Sequence, residues 1–84
     1  MTNKETLKKQ IIYRSSHRGS KEMDILLESF VKKYIETFDE YELKSLNELL
    51  LFEDEILYNW YFEKQDNLKI SKNEISKKLK NFKL

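Results

Sequence analysis

No proline and a single glycine, Gly19, occur in 84 residues, which leaves the chain almost without the residues that end strands and shape hairpins. Apolar residues instead recur at intervals of three and four in every segment, the spacing of one helix face. The sequence therefore predicts an all-α fold, a compact bundle of about five short helices in one domain over residues 1–84. Division into two domains is excluded by size, because half of so short a chain cannot bury enough apolar surface to offset the entropy of ordering it. A large cavity or a buried cofactor is not expected in a core this small.

The helix boundaries follow from caps and stripes. A first helix should start at Thr2, with Glu5 completing a capping box, and run to about Ser16 with Leu7, Ile11 and Ile12 on its inner side. Met23, Leu26, Leu27, Phe30, Val31 and Tyr34 lay a continuous apolar stripe along a second helix. A third starts at Asp39, with Glu42 reaching back and Phe38 stapled onto Leu43, and presents Leu43, Leu46, Leu49 and Leu50 inward. Asp54 is the expected cap of a fourth helix, whose apolar side is Ile56, Leu57, Trp60 and Tyr61. After the polar stretch "EKQDN", Ser71 and Glu74 suggest a capping box for a fifth helix within residues 71–83 that buries Ile75, Leu79 and Phe82.

The net charge of +1 conceals a segregation. Residues 1–21 carry six Lys/Arg against one acid, residues 22–63 carry twelve acids against three lysines, and residues 64–84 carry seven lysines against two acids. Solvated faces and attraction between the ends and the middle account for this pattern. The alternative is a nucleic-acid-binding or antitoxin-like helical regulator that grips with "KISKNEISKKLKNFKL"; that segment has lysines and Phe82 but no arginine fork, so no nucleic acid is expected as a partner. There is no cysteine and only one histidine, so thiolate chemistry is absent and no metal site is expected. The sequence has no apolar run of the roughly 18 residues a membrane span needs, and its start resembles neither a signal nor a transit peptide. A soluble monomer of the bacterial cytoplasm, without direct membrane insertion, is expected.

Gly19 falls where the first helical pattern gives way to the second. A left-handed residue closing the first helix would explain it, with Ser20 capping the second. Around it stand Arg14, His17, Arg18, Lys21, Glu22 and Asp24, more charge than a turn requires. Arg18 and Glu22 are spaced to pair, and bare backbone at Gly19 would let another macromolecule approach closely. Both charged residues lie outside the apolar stripes, so replacing either with alanine is expected to leave the fold formed.

"RSSHRGSKEMDILLESF" followed by "YELKSLNELLLFEDEILYNW" resembles the small succinate dehydrogenase assembly factors, also called flavinylation factors. Their hallmark is Arg-Gly-x-x-Glu with an Asp two residues later, met here by Arg18, Gly19, Glu22 and Asp24. A later Asp, Leu, aromatic, x, Trp pattern is met by Asp54, Leu57, Tyr58 and Trp60, so the family-like core covers about residues 10–62. Many members place a proline just before the fourth helix, where this chain has only acids, and the basic segment after Trp60 matches the family in character and not in residues.

The resemblance implies a five-helix protein that binds the flavoprotein subunit of succinate dehydrogenase, or of fumarate reductase in some bacteria. It would promote covalent attachment of FAD to a histidine of that client. The nucleophile then belongs to the client, and this chain is expected to be an assembly factor rather than an enzyme, with no cofactor of its own, acting on the FAD of the client. A phosphate cradle for a resident flavin would also need more than one glycine. The client-binding residues would be Arg14, His17, Arg18, Gly19, Glu22 and Asp24, with Glu22 fixing the fork of Arg18 and with no catalytic residue among them.

Overall fold

A computed structural model describes residues 3–84 of the chain, and the expected Thr2 cap lies outside them. Five helices follow one another: α1 (Asn3–Ser16), α2 (Lys21–Tyr34), α3 (Glu40–Leu49), α4 (Asp54–Tyr61) and α5 (Glu74–Asn81), with no strand among the described residues. Helix α1 lies against α2 and α3, and α5 packs on α3. The Cα radius of gyration is 12.0 Å, the value of a single globule of this length, about 12 Å.

The strongest local signals produced the elements they predict. Ser20 caps α2 by accepting the Met23 amide at 3.2 Å, with Glu22 and Asp24 in the first turn and Lys32 and Lys33 in the last, where the helix dipole favours each sign. The α2 stripe is buried from Met23 to Val31, and Tyr34 is half-buried at its end. Asp39 and Glu42 form a reciprocal capping box on α3 with bonds of 2.8 and 3.0 Å. Leu43, Leu46, Leu49 and Leu50 are all buried below it. In the first helix, Ile11 is fully buried and Leu7 partly so, but Ile12 is 53% exposed. One turn of α1 offers α2 and α3 a stripe narrower than the sequence suggests.

Two caps differ from expectation. Helix α5 is capped by Asn73, which accepts the Ser76 amide at 2.9 Å while Ser76 Oγ accepts the Asn73 amide at 3.0 Å. Ser71 contributes only its carbonyl, which accepts from Ser76 Oγ at 2.7 Å. Helix α4 follows Glu53, which makes no side-chain capping bond, and Asp54 is already helical. The α4–α5 connection holds the one described non-glycine residue with positive φ, Lys64 at 58°, and inserts Ile70 into the core.

The C-terminal helix is tied in through aromatic rings. Phe82 meets Phe30 edge to face at 5.4 Å between centroids, and Tyr34 and Phe38 complete the cluster at 5.1 and 6.2 Å from Phe30. Several lysines of the basic tail lie over rings: Lys78 Nζ is 4.6 Å from the Tyr34 centroid and Lys80 Nζ is 5.0 Å from that of the buried Trp60. Much of the tail's charge therefore covers apolar surface with its stems.

Tyr61 donates its hydroxyl to the Phe82 carbonyl oxygen, and burial raises its pKa above the ordinary value of 10.0. A raised pKa in the folded state means stability that is complete below the unfolded value and is lost as pH rises through the folded one. Stability is therefore expected to fall above about pH 10 more steeply in the wild type than in Tyr61→Phe. Urea unfolding midpoints at pH 8 and pH 11 test this, and equal alkaline losses in the two proteins would remove Tyr61 from the account.

Candidate functional site

The α1–α2 corner, residues 17–20, is held by two carboxylates that arrive from different helices. Asp24, in the first turn of α2, accepts the backbone amide of Arg18 at 2.9 Å. Asp54, at the first position of α4, accepts Arg18 Nε at 2.5 Å through one oxygen and the Gly19 amide through the other. Placement at a helix N-terminus also suits a carboxylate electrostatically. Asp54 thus joins the α3–α4 turn to the α1–α2 corner by bonding two consecutive residues at once.

Arg18 completes the junction from the other side. Its Nη1 donates to the carbonyl oxygens of Leu50 at 2.8 Å and Arg14 at 3.3 Å, and its Nη2 donates to that of Phe52 at 2.7 Å. The side chain is only 9% exposed and that of Asp54 28%. A planar fork with several fixed donors suits this set of acceptors, which a lysine could not serve. The expectation that Glu22 fixes the fork of Arg18 is therefore corrected: Asp54 fixes it. Glu22 is exposed and has no hydrogen-bond or ion-pair partner among the described residues.

Gly19 also departs from expectation. Its φ is not positive, so no left-handed turn requires it. A Cβ built on residue 19 would lie 2.6 Å from Asp54 Oδ2, so any other residue here would require the Asp54 carboxylate to shift.

The six residues predicted for client binding fall into two groups. Arg14 donates to Asn47 Oδ1 at 2.5 Å, and Asn47 in turn donates to Gln10 Oε1 at 2.9 Å, a chain that stitches α1 to α3. With Arg14, the side chains of Arg18 and Asp24 are engaged within the protein. His17, Gly19 and Glu22 are exposed at the same corner. The His17 ring stacks on Tyr13 at 4.3 Å between centroids, and its Nδ1 lies 2.8 Å from the Tyr13 carbonyl oxygen. A carbonyl only accepts, so Nδ1 carries the proton in that bond. Tyr13 is 64% exposed and was not among the predicted residues, although its spacing of four from His17 on one helix face is readable in the sequence.

The sequence reading missed the binding role of Asp54, because local rules make an acid before a helix a cap. It also missed the Leu50 and Phe52 carbonyls, whose free lone pairs follow from the end of α3 and carry no side-chain signature. Among the described residues no three His, Asp or Glu side chains gather as metal ligands would, and no helix is long and apolar enough to cross a membrane.

Comparison with known proteins gives the chain a family. The family model described as "Flavinator of succinate dehydrogenase" (Sdh5) matches residues 9–83, a span that includes the basic C-terminal helix. "Succinate dehydrogenase assembly factor 2, mitochondrial" of Dictyostelium discoideum is 37% identical over 62 residues, covering 74% of this chain and 44% of that protein. The protein of the same name from Scheffersomyces stipitis is 39% identical over 62 residues, 74% of this chain and 42% of its own. The chain thus spans less than half the length of these relatives. "FAD assembly factor SdhE" of Acinetobacter baylyi is 31% identical over 74 residues, 88% of this chain and 86% of that protein. No solved structure matches the chain. With a family model that spans all five helices but the first turns of α1, the chain belongs to the family described as "Flavinator of succinate dehydrogenase".

Proposed function

We propose that this protein is an assembly factor that binds the flavoprotein subunit of succinate dehydrogenase and promotes covalent attachment of FAD to a histidine of that subunit. The observation that carries the reading is the corner itself. An Arg-Gly-x-x-Glu motif is locked from within by Asp54 and Asp24 and leaves Gly19, His17 and Glu22 on the outside. A rigid edge loses little entropy on docking, which is what a factor that positions another protein needs. The flavin supplies the electrophilic chemistry and the client supplies the nucleophile. This chain holds the client in the arrangement where the two meet, acting as a single copy and carrying no cofactor of its own.

Within this reading the exposed half of the motif meets the client and the engaged half holds its shape. Glu22 offers a carboxylate to a donor of the client. The setting proposed is a bacterial cytoplasm, supported by the relative from Acinetobacter baylyi, which the chain matches nearly end to end. The flavoprotein of fumarate reductase is the second client to try.

Complex formation tests the reading. Glu22→Ala should retain the wild-type melting temperature within about 3 °C, since an exposed, unpartnered surface residue contributes within about 0.5 kcal/mol, and should weaken capture of the client at least about fivefold. Capture by Glu22→Ala equal to the wild type would place the interface elsewhere.

A further inference from the structure

The contact between Asp54 and Gly19 has a consequence for the corner that the motif alone does not carry. Because Gly19 lacks a positive φ, its backbone is open to any residue, and only space can make glycine obligatory. The atoms a Cβ would meet belong to one side chain: Asp54 Oδ2 at 2.6 Å, Cγ at 3.7 Å and Cβ at 4.0 Å. A free carboxylate would rotate away at small cost. This one is held at its other oxygen by Arg18 Nε at 2.5 Å, and Arg18 is in turn fixed on the Leu50 and Phe52 carbonyls. Yielding to a methyl group at residue 19 would therefore break the pair and disturb the whole junction.

We propose that Asp54 is the positioning residue of the client-binding corner, and that residue 19 is glycine to admit the Asp54 carboxylate rather than to admit the client. The orientation of the exposed edge, with Gly19 flanked by His17 and Glu22, is then set from α4. With Asp54 removed, residue 18 keeps its amide bond to Asp24 and its guanidinium bonds to the Leu50, Phe52 and Arg14 carbonyls, but the Gly19 amide loses its acceptor. The inference rests on the proposed client-binding role for its functional half and on intramolecular geometry for the rest.

The two substitutions are consequently coupled. In the wild-type background Gly19→Ala should lower the melting temperature by about 5–10 °C and weaken binding of the succinate dehydrogenase flavoprotein about tenfold. In the Asp54→Ala background, which should itself bind the client weakly, the same change should shift melting by less than about 2 °C and binding by less than about threefold. All four proteins are compared at a temperature where each is folded by circular dichroism. If Asp54→Ala does not fold, Asp54→Ser takes its place, since a serine ends where Asp54 Cγ stands, 3.7 Å from a Cβ on residue 19, and leaves that Cβ room.

The single glycine supplies an independent readout, because it gives one cross-peak in the glycine region of a nitrogen–proton correlation spectrum. That amide proton should resonate downfield, as expected for a donor to a carboxylate, and should move upfield in the Asp54 variant. Equal losses from Gly19→Ala in the two backgrounds, or a Gly19 amide unmoved in the Asp54 variant, would overturn the proposal. If the wild type itself fails to bind the flavoprotein, the functional reading falls, and the melting cycle and the amide shift still decide whether Asp54 positions the corner.

Discussion

Arg18→Ala is expected to lose about 3 kcal/mol of folding stability, enough to lower the melting temperature by roughly 12–20 °C in a domain of this size. The change removes four hydrogen bonds in which Arg18 donates, to Asp54, Arg14, Leu50 and Phe52. Three carbonyls and a carboxylate lose that donor around a side chain that was 9% exposed. A buried acceptor without its donor costs about 1–3 kcal/mol, and water entering the opened corner recovers part of it. Arg18→Lys should rescue little, because a single ammonium cannot span Asp54 and the carbonyls of two turns. Urea denaturation followed by circular dichroism measures the loss. A loss under about 1 kcal/mol would return Arg18 to the surface residues. The expected result reverses what the sequence suggests for this position, since an arginine outside every apolar stripe reads as dispensable for folding.

A loss of about 3–5 kcal/mol is expected from Phe30→Ala, the size found for fully buried aromatic residues. Phe30 is 0% exposed, and its ring meets those of Tyr34, Phe38 and Phe82. Aromatic contacts of this kind add about 0.5–1.5 kcal/mol each beyond area burial. The loss should be felt unevenly. Helix α5 is short, and Phe82 beside its end is held by Phe30, by Tyr34 and by the hydroxyl of Tyr61. Amide hydrogen exchange in Phe30→Ala should therefore accelerate more over residues 74–82 than over α1. Uniform acceleration would mean that α5 does not open ahead of the rest.

What could be read from the sequence divides along the range of the interactions involved. The α2 stripe and the Asp39–Glu42 box are settled within one or two helical turns, and both formed as expected. The α5 cap was missed by two residues because Ser71 and Asn73 both offer capping oxygens. The choice fell to Asn73, where burial of Ile75 and Leu79 coincides with a hydroxyl at Ser76 able to complete the box. Ile12 was misread because apolar spacing marks a face without giving its width. Arg18, Gly19, Glu22 and Asp24 were visible as a motif, but the division of labour among them was not. It depends on Asp54, 36 residues beyond Arg18 in the chain, and no local rule connects an arginine at one corner with the first residue of a helix that forms at another. The glycine was legible as a special position, and the reason for it was not.

The central claim is that a rigid corner on a small helical protein promotes flavin attachment in another protein, and covalent flavin on that protein is its direct measure. The flavoprotein subunit of succinate dehydrogenase is expressed with and without this chain in cells lacking any other such factor. The subunit is then separated by denaturing electrophoresis and read for flavin fluorescence, which survives only where the bond is covalent. Fluorescence per subunit should rise at least about tenfold with the wild-type chain and fall back toward the baseline with Glu22→Ala, a variant that remains folded. Equal fluorescence with and without the chain would contradict the account.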